Sequence, residues 1–510
     1  MTDVAQRSPG SSGPQDPGTP GAPDPNRWRA LSVCLAVGFM TLLDVSIVNV
    51  ALPSMESSLG AGSSEVQWIV AGYALAFGLV LVPAGRVGDL YSRRLLFVVG
   101  LAGFALTSAA AGLVQSATAL AVVRLAQGVT AGLVNPQVLA LIQQLFTGAE
   151  RAKAFGLFGT TIGLSTAIGP LLGGGILAVF GEAQGWRGVF LVNVPIGLVL
   201  LPLAWRWLPK QGRARTAGRL HLDVVGLLLL AAATVFAMLP FVLTTGEDDP
   251  PARWWFLAPG LALLAAFAGW ERREERRGNQ PVVAGELVRT GSFSVGALVG
   301  IAYFAGFTGI FLVVTLYLQT GLGLSPLQAG LVQTPFAIMS AVFAQVGGRE
   351  VSRRGRPVVV VGLVVVAVGL GAADVVAAAV QGTAGAIALS ACLAVAGAGS
   401  GLVISPNQTL ALADVPRAVA GVAGGVLQTG QRVGSAMGVA ATTAIFFSTL
   451  AAQGSSESVF GEALSDGLRV SLGLVLLALV LAVVDLRRRA GHHPARDGAP
   501  DGGAAGHRVD

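Results

Sequence analysis

A chain of 510 residues that is 53% hydrophobic and only 12% charged, with a mean hydropathy of +0.70, carries more apolar surface than water-exposed folding can hide, since soluble domains run at about 25% charged. It reads as a polytopic membrane protein, and its 70 glycines suit helices that approach one another closely in lipid. The net charge of +6 does not point to nucleic acid, because its placement is that of the positive-inside rule. Arg187, Arg253 and Arg469 fall on one side of the membrane, Arg124 and Arg432 fall inside spans, and every other Lys and Arg falls on the opposite side.

In chain order, residues 1–28 are rich in Pro, Gly and Ser without an apolar signal core, and read as a disordered cytoplasmic tail. Fourteen spans follow, at 30–52, 66–85, 95–115, 117–146, 152–180, 188–208, 222–244, 254–271, 293–318, 327–347, 357–380, 384–411, 418–451 and 467–486, and a basic tail closes the chain at 487–510. An even number puts both termini in the cytoplasm. Basic clusters occur at every second loop, as in Arg93-Arg94, Arg151 with Lys153, Lys210 with Arg213 and Arg215, and Arg353-Arg354 with Arg356. Outer loops instead carry Glu247-Asp248-Asp249 and Glu457, Glu462 and Asp466.

An internal repeat divides the chain. Arg151-Ala-Lys-Ala-Phe-Gly opening span five resembles Arg417-Ala-Val-Ala-Gly opening span thirteen, and Ser92-Arg93-Arg94 resembles Gly355-Arg356-Pro357 at nearly the same offset. The expected architecture is therefore all-α: two pseudo-symmetric six-helix bundles, 29–208 and 290–486, joined by a linker 209–289 that contributes two inserted transmembrane helices. Repeats of this kind build a central site at their interface in many secondary transporters.

Cys34 and Cys392 lie in separate spans and suggest neither a disulfide nor a metal pair, and His221, His492, His493 and His507 have no ligand spacing. No phosphate-binding loop of the Walker type and no Gly-x-Ser-x-Gly elbow is present, and the run Gly397-Ala-Gly-Ser-Gly401 lacks the strand-turn-helix context of a dinucleotide site. These readings exclude a nucleotide-driven pump and a serine hydrolase, and imply no cofactor and no enzymatic activity.

Chemistry concentrates in four stretches. Span one carries Asp44 within Leu43-Asp44-Val45-Ser46-Ile47-Val48-Asn49-Val50-Ala51-Leu52-Pro53; a charge at the bilayer centre costs roughly 2.5–3.5 kcal/mol on the most lenient scale, so it marks function. Span four carries Arg124 in Leu120-Ala-Val-Val-Arg124-Leu-Ala-Gln127-Gly128. At about 1.5 Å per residue, Asp44 lies roughly 13 Å below Pro53 and Arg124 roughly 10 Å below Ala117, so the two can sit level. Between spans two and three runs Gly85-Arg-Val-Gly88-Asp89-Leu-Tyr-Ser-Arg93-Arg94. Span five carries Gly159-Thr-Thr-Ile-Gly163-Leu-Ser-Thr-Ala-Ile-Gly169-Pro170-Leu-Leu-Gly173-Gly174, where Pro removes a helix hydrogen bond and Gly removes bulk.

From Arg29 to Arg489 the chain resembles the major facilitator superfamily, and within it the fourteen-span drug:proton antiporters. The span-one stretch is similar to that branch's first-span motif, with Ser46 where the family usually has Thr. The loop resembles Gly-x-x-x-Asp-Arg-x-Gly-Arg-Arg, with Leu90 in place of a basic residue and Ser92 in place of the turn glycine, a looser turn. The span-four stretch resembles the motif bearing an embedded arginine in proton-coupled members, and the span-five stretch resembles the antiporter signature, with Ser165 where a further Gly is common. The resemblance implies that Asp44 and Arg124 face a central cavity and couple to protons. It also implies that Gly85, Asp89, Arg93 and Arg94 latch the outward-facing state against the start of span thirteen, and that Gly163, Gly169, Pro170, Gly173 and Gly174 kink and pack span five.

Asn49, Gln127, Asn135, Gln319, Gln333, Asn407, Gln431 and Arg432 are candidate polar contacts in an apolar substrate cavity, helix-to-helix hydrogen bonding being the alternative. The function expected is proton-driven efflux of hydrophobic or cationic drugs by a monomer in the cell membrane. The alternatives are a dedicated exporter or importer of one metabolite, peptide or sugar, and a sensor or lipid-handling protein without turnover.

Overall fold

The computed structural model describes residues 24–210, 223–243, 251–279, 281–283, 285–454 and 456–490. Most of both tails, the linker residues Arg213, Arg215 and His221, the acidic stretch Glu247-Asp248-Asp249, and His492, His493 and His507 lie outside them. The described helices are α1 (Arg27–Leu59), α2 (Ser63–Leu90), α3 (Arg93–Leu113), α4 (Ala117–Leu145), α5 (Gly148–Phe180), α6 (Glu182–Leu191), α7 (Asn193–Trp207), α8 (Val224–Val242), α9 (Leu257–Arg276), α10 (Gly285–Arg289), α11 (Gly291–Leu316), α12 (Pro326–Arg354), α13 (Arg356–Ala379), α14 (Gly382–Ala411), α15 (Ala420–Gln453) and α16 (Glu457–Ala490). They provide fourteen segments long and apolar enough to cross a membrane, with α6 and α7 together making the sixth.

Departures from the expected spans have local causes. The sixth span breaks at Val192, where Pro195 has no N–H to offer the Leu191 carbonyl. Three helices outrun their apolar stretches by seven residues or more: α1 continues to Leu59, α12 continues to Arg354 and α16 begins at Glu457, because polar turns extend a helix beyond its membrane-embedded part. Ser92 does not loosen its turn. Its backbone is extended, and its hydroxyl accepts from the Leu95 N–H at 3.2 Å, capping α3. The repeat-related turn uses Gly355 at φ +64° instead.

Each half has its own apolar core: Phe97, Phe104, Phe155 and their neighbours in the N-terminal half, and Tyr303, Tyr317, Phe446 and theirs in the C-terminal half. The N-terminal core runs on into Leu412, Val415, Ala423 and Leu427 of the other half. The halves therefore join most fully at the end of the bundle that holds the α14–α15 connection. Elsewhere they meet along α5–α12 and α2–α15. The hairpin of α8 and α9 rests on the second of these seams, with Met238 against Gly78 and Leu227 clustered with Val82 and Val422.

Candidate functional site

Asp44 sits on the buried face of α1 among Met40, Leu43, Ile47 and Val48, and is 0% exposed. Its Oδ2 accepts from Arg124 Nη1 at 2.6 Å, and its Oδ1 accepts from Gln127 Nε2 at 3.0 Å and Asn193 Nδ2 at 2.9 Å. Arg124 and Gln127, three residues apart, share one face of α4. The Arg124 guanidinium also donates to the Ile69 carbonyl at 3.2 Å and to Gln127 Oε1 at 2.8 Å, and lies 4.2 Å over the Tyr73 ring. The Ser108 hydroxyl accepts from Gln127 and Asn193 at 3.2 and 3.0 Å and donates to the Phe190 carbonyl at 2.9 Å. A buried ion pair offsets its desolvation only when the remaining hydrogen-bonding capacity is met, and here four elements meet it.

The arrangement corrects one expectation: the pair does not face a cavity between the halves but is enclosed within the N-terminal half. Depth along a helix follows from residue counting, whereas rotation about its axis depends on neighbours. Ser108 and Asn193 were not anticipated. Asn193 is the one polar side chain in the run Val189–Ala204, and that isolation, two residues before a proline, was the available signal.

A second constellation ties the halves together. Asp89, at the end of α2, accepts from the Gly421 and Val422 amides at 3.0 and 2.9 Å and from Arg93 Nη2 at 2.6 Å. Amides in the first turn of a helix lack internal partners and carry partial positive charge, so a carboxylate suits them. Arg93 further donates to Gln144 Oε1 at 3.0 Å and to the Arg417 carbonyl at 2.5 Å. Gly85 lies against Gly421 so closely that a Cβ on it would fall on the Gly421 carbonyl. Gln143 donates to the Leu412 carbonyl at 2.6 Å and Arg151 to that of Ala413 at 3.4 Å, closing the same end. Arg94 is not part of this contact: one residue on, about 100° around the helix, it stacks 4.5 Å over Trp205 and donates to the Trp205 carbonyl.

The motifs of α1 and α5 are packing partners of one another. A Cβ on Gly169 would collide with the Ser46 side chain, whose hydroxyl bonds the Thr166 carbonyl at 3.4 Å, and one on Gly173 would press on Ile47. Gly163 faces Ala337 and Ala341 of α12, and Pro170 faces Gly330. A Cβ on Gly174 would meet nothing within 4 Å, so the close contact expected of the glycine pair belongs to Gly173 alone. Gly169→Ala is expected to lower stability by about 1–3 kcal/mol through overpacking, and Gly174→Ala to stay within about 0.5 kcal/mol of wild type. Thermal unfolding of the purified variants measures the contrast; equal melting temperatures would refute it.

Several proposed cavity contacts have hydrogen-bond partners within the bundles. Gln127 belongs to the Asp44 cluster. Asn407 accepts from Arg356 at 2.8 Å and donates to the Gly296 carbonyl at 2.8 Å, while Arg356 pairs with Asp485 at 2.7 Å. Gln333 donates to Thr315 at 3.0 Å, and Asn135 to the Ala131 carbonyl of its own helix at 3.1 Å. The reason is shared: a polar side chain that can reach a helical neighbour in apolar surroundings gains more there than in an open space. Asn49 is exposed on α1, and Gln319, Gln431 and Arg432 are partly buried.

The Major Facilitator Superfamily description matches residues 34–439. The "Probable actinorhodin transporter" of Streptomyces coelicolor is 37% identical over 447 residues, covering 86% of this chain and 76% of that protein. The "Puromycin resistance protein pur8" of Streptomyces alboniger is 35% identical over 483 residues, covering 92% and 93%. A solved structure of the proton:xylose symporter XylE, bound to 6-bromo-6-deoxy-D-glucose, superposes with a TM-score of 0.61 at 15% identity, over 89% of this chain and 94% of that one, a likeness of fold alone. Two helical halves meeting at α2–α15 and α5–α12, with a family match running through both, place this membrane transporter in the major facilitator superfamily.

Proposed function

We propose that this protein exports hydrophobic antibiotics in exchange for protons, with Asp44 as the proton carrier. The observation that supports the reading most is the enclosed Asp44–Arg124 pair, 2.6 Å apart, an ionisable couple in the membrane interior, where a charge is costly and marks function. Exchange for protons needs a group inside the membrane that can take one up, and Asp44 is the carboxylate of this pair. A proton on the carboxyl releases Arg124, and with it the bonds that draw α1, α4 and α7 together. Because α1 packs on α5 through Ser46 and Gly169, that change reaches the seam with α12. The positive-inside rule makes the end sealed by Asp89 cytoplasmic.

One proton entering gains about 2.3 kcal/mol per 100 mV, enough for a concentration ratio of roughly forty. The names of the antibiotic transporters and resistance proteins that resemble this chain support antibiotics as cargo. The test is uptake of puromycin, tetracycline and ethidium into inside-out vesicles carrying the protein, with and without an imposed proton gradient. At least one compound is expected to accumulate only with the gradient. Uptake of none, or uptake indifferent to collapse of the gradient, would overturn the reading.

A further inference from the structure

Arg124 and Arg432 are the two arginines that fall well inside the spans read from the sequence, and their surroundings differ. Arg93, Arg124 and Arg356 are each nearly fully buried and bonded to a carboxylate. Arg432, twelve residues into α15, lies about 18 Å from the start of that helix, near the middle of a hydrocarbon core about 30 Å thick. Among the described residues no carboxylate reaches it; its contact is with the Phe77 ring of α2, 4.7 Å from the guanidinium. It is partly exposed. A guanidinium at this depth is costly, and a structural one would be expected to carry its own counter-ion, as Arg124 does.

Its surroundings lie at the seam between the halves. Gln428, Gln431, Arg432 and Ser435 recur at the spacing of one helix face. Gln428 donates to the Asn135 carbonyl of α4 at 3.4 Å, and Ser435 pairs with Thr308 of α11 at 2.9 Å, so this face touches both halves. Next to Thr308 on α11 are Phe304, Phe307 and Phe311, partly exposed rings in contact with one another and with Phe336 of α12 at 5.0–5.9 Å. Phe77 in turn stacks on Tyr73 at 6.1 Å and 17°, and Tyr73 lies under Arg124. One stacked aromatic pair thus lies between the cation paired with Asp44 and the cation that has no carboxylate partner among the described residues.

We propose that Arg432 binds the anionic group of the cargo, an ionised carboxylate or phenolate on an aromatic scaffold, and this deepens the export reading on which it rests. A planar guanidinium offers two parallel N–H donors to a carboxylate, and the rings of α11 and α12 supply apolar surface for the scaffold. An anion leaving an inside-negative cell also moves with the electrical gradient, adding to the drive from the proton.

The test uses three probes with one ring: 2-naphthoate, its neutral methyl ester, and 2-naphthylmethylammonium. Binding to purified full-length protein in nanodiscs at pH 7 is measured by calorimetry. Wild type is expected to bind the acid about tenfold more tightly than the ester, or more. Arg432→Gln should bring the ratio to about one without weakening the ester, and Arg432→Lys, which keeps the charge but not the fork, should retain a severalfold preference. No saturable binding of the acid, no preference in wild type, or a preference that survives Arg432→Gln would overturn the proposal. A lowered melting temperature in Arg432→Gln with the preference intact would make Arg432 a seal between α2 and α15. The vesicle assay is independent of this ratio, so failure of the anion site and failure of export are distinguishable.

Discussion

Asp44→Asn is expected to abolish gradient-driven accumulation, by at least about a hundredfold, because no other carboxylate in the N-terminal half is placed to carry the proton at that depth. The substitution keeps the shape of the side chain. Its carbonyl can still accept from Gln127 or Asn193, but Arg124 loses its counter-charge in a site where Asp44 is 0% and Arg124 2% exposed. Breaking a buried pair from one side costs about 3–5 kcal/mol, so Asp44→Asn and Arg124→Gln should each unfold markedly earlier than wild type. The double variant removes both charges and should regain most of that stability while exporting nothing. Asn193→Ala belongs to the same series, removing one donor from the carboxylate for about 1–3 kcal/mol. Melting temperatures and vesicle uptake measured on all four separate a structural pair from a working one. A double variant that still accumulates substrate with the proton gradient would remove Asp44 from the mechanism.

What the chain reveals without its structure divides along a physical line. Span number and approximate ends were legible because a membrane demands about 20 apolar residues at a time, and fourteen such segments are found among the described residues. Depth was legible too. Residue counting put Asp44 and Arg124 level, and their side chains meet at 2.6 Å. Rotation was not: nothing in the α1 pattern, apolar on every side, distinguishes a face toward the seam from one toward α4. Asn407 and Gln127 were misplaced for the same reason, as was Arg94, whose neighbour Arg93 points to the other half while it stacks on Trp205. Gly169 and Ser46 illustrate a further limit. Each belongs to a recognisable stretch, yet that one fills the space the other leaves follows only from the crossing of α1 and α5.

Gly85→Val is expected to open the end of the bundle closed by Asp89. The Cβ it adds would meet the Gly421 carbonyl, and since that obstacle is backbone on a packed helix, no rotamer relieves it; α2 and α15 must separate. Separation carries the Gly421 and Val422 amides away from Asp89, whose bonds to them are 3.0 and 2.9 Å long. Asp89→Ala should reach a similar state by a different route, removing the acceptor of charge-assisted bonds worth about 1.5–3 kcal/mol each, enough to shift a two-state population tenfold or more. Leu412→Cys reports on the result, in a background with Cys34 and Cys392 replaced by Ala, because Leu412 is buried where its carbonyl accepts from Gln143. Maleimide labelling of that cysteine in detergent-solubilised protein should quicken at least about tenfold in Gly85→Val and Asp89→Ala, with export falling in parallel. Arg94→Ala should leave labelling unchanged, since its partner Trp205 lies in the same half. Labelling equally slow in all three would place the closure elsewhere, in the contacts of Gln143 and Arg151 with the chain before α15. Asp89 would then be a capping residue that survives opening rather than the group that resists it.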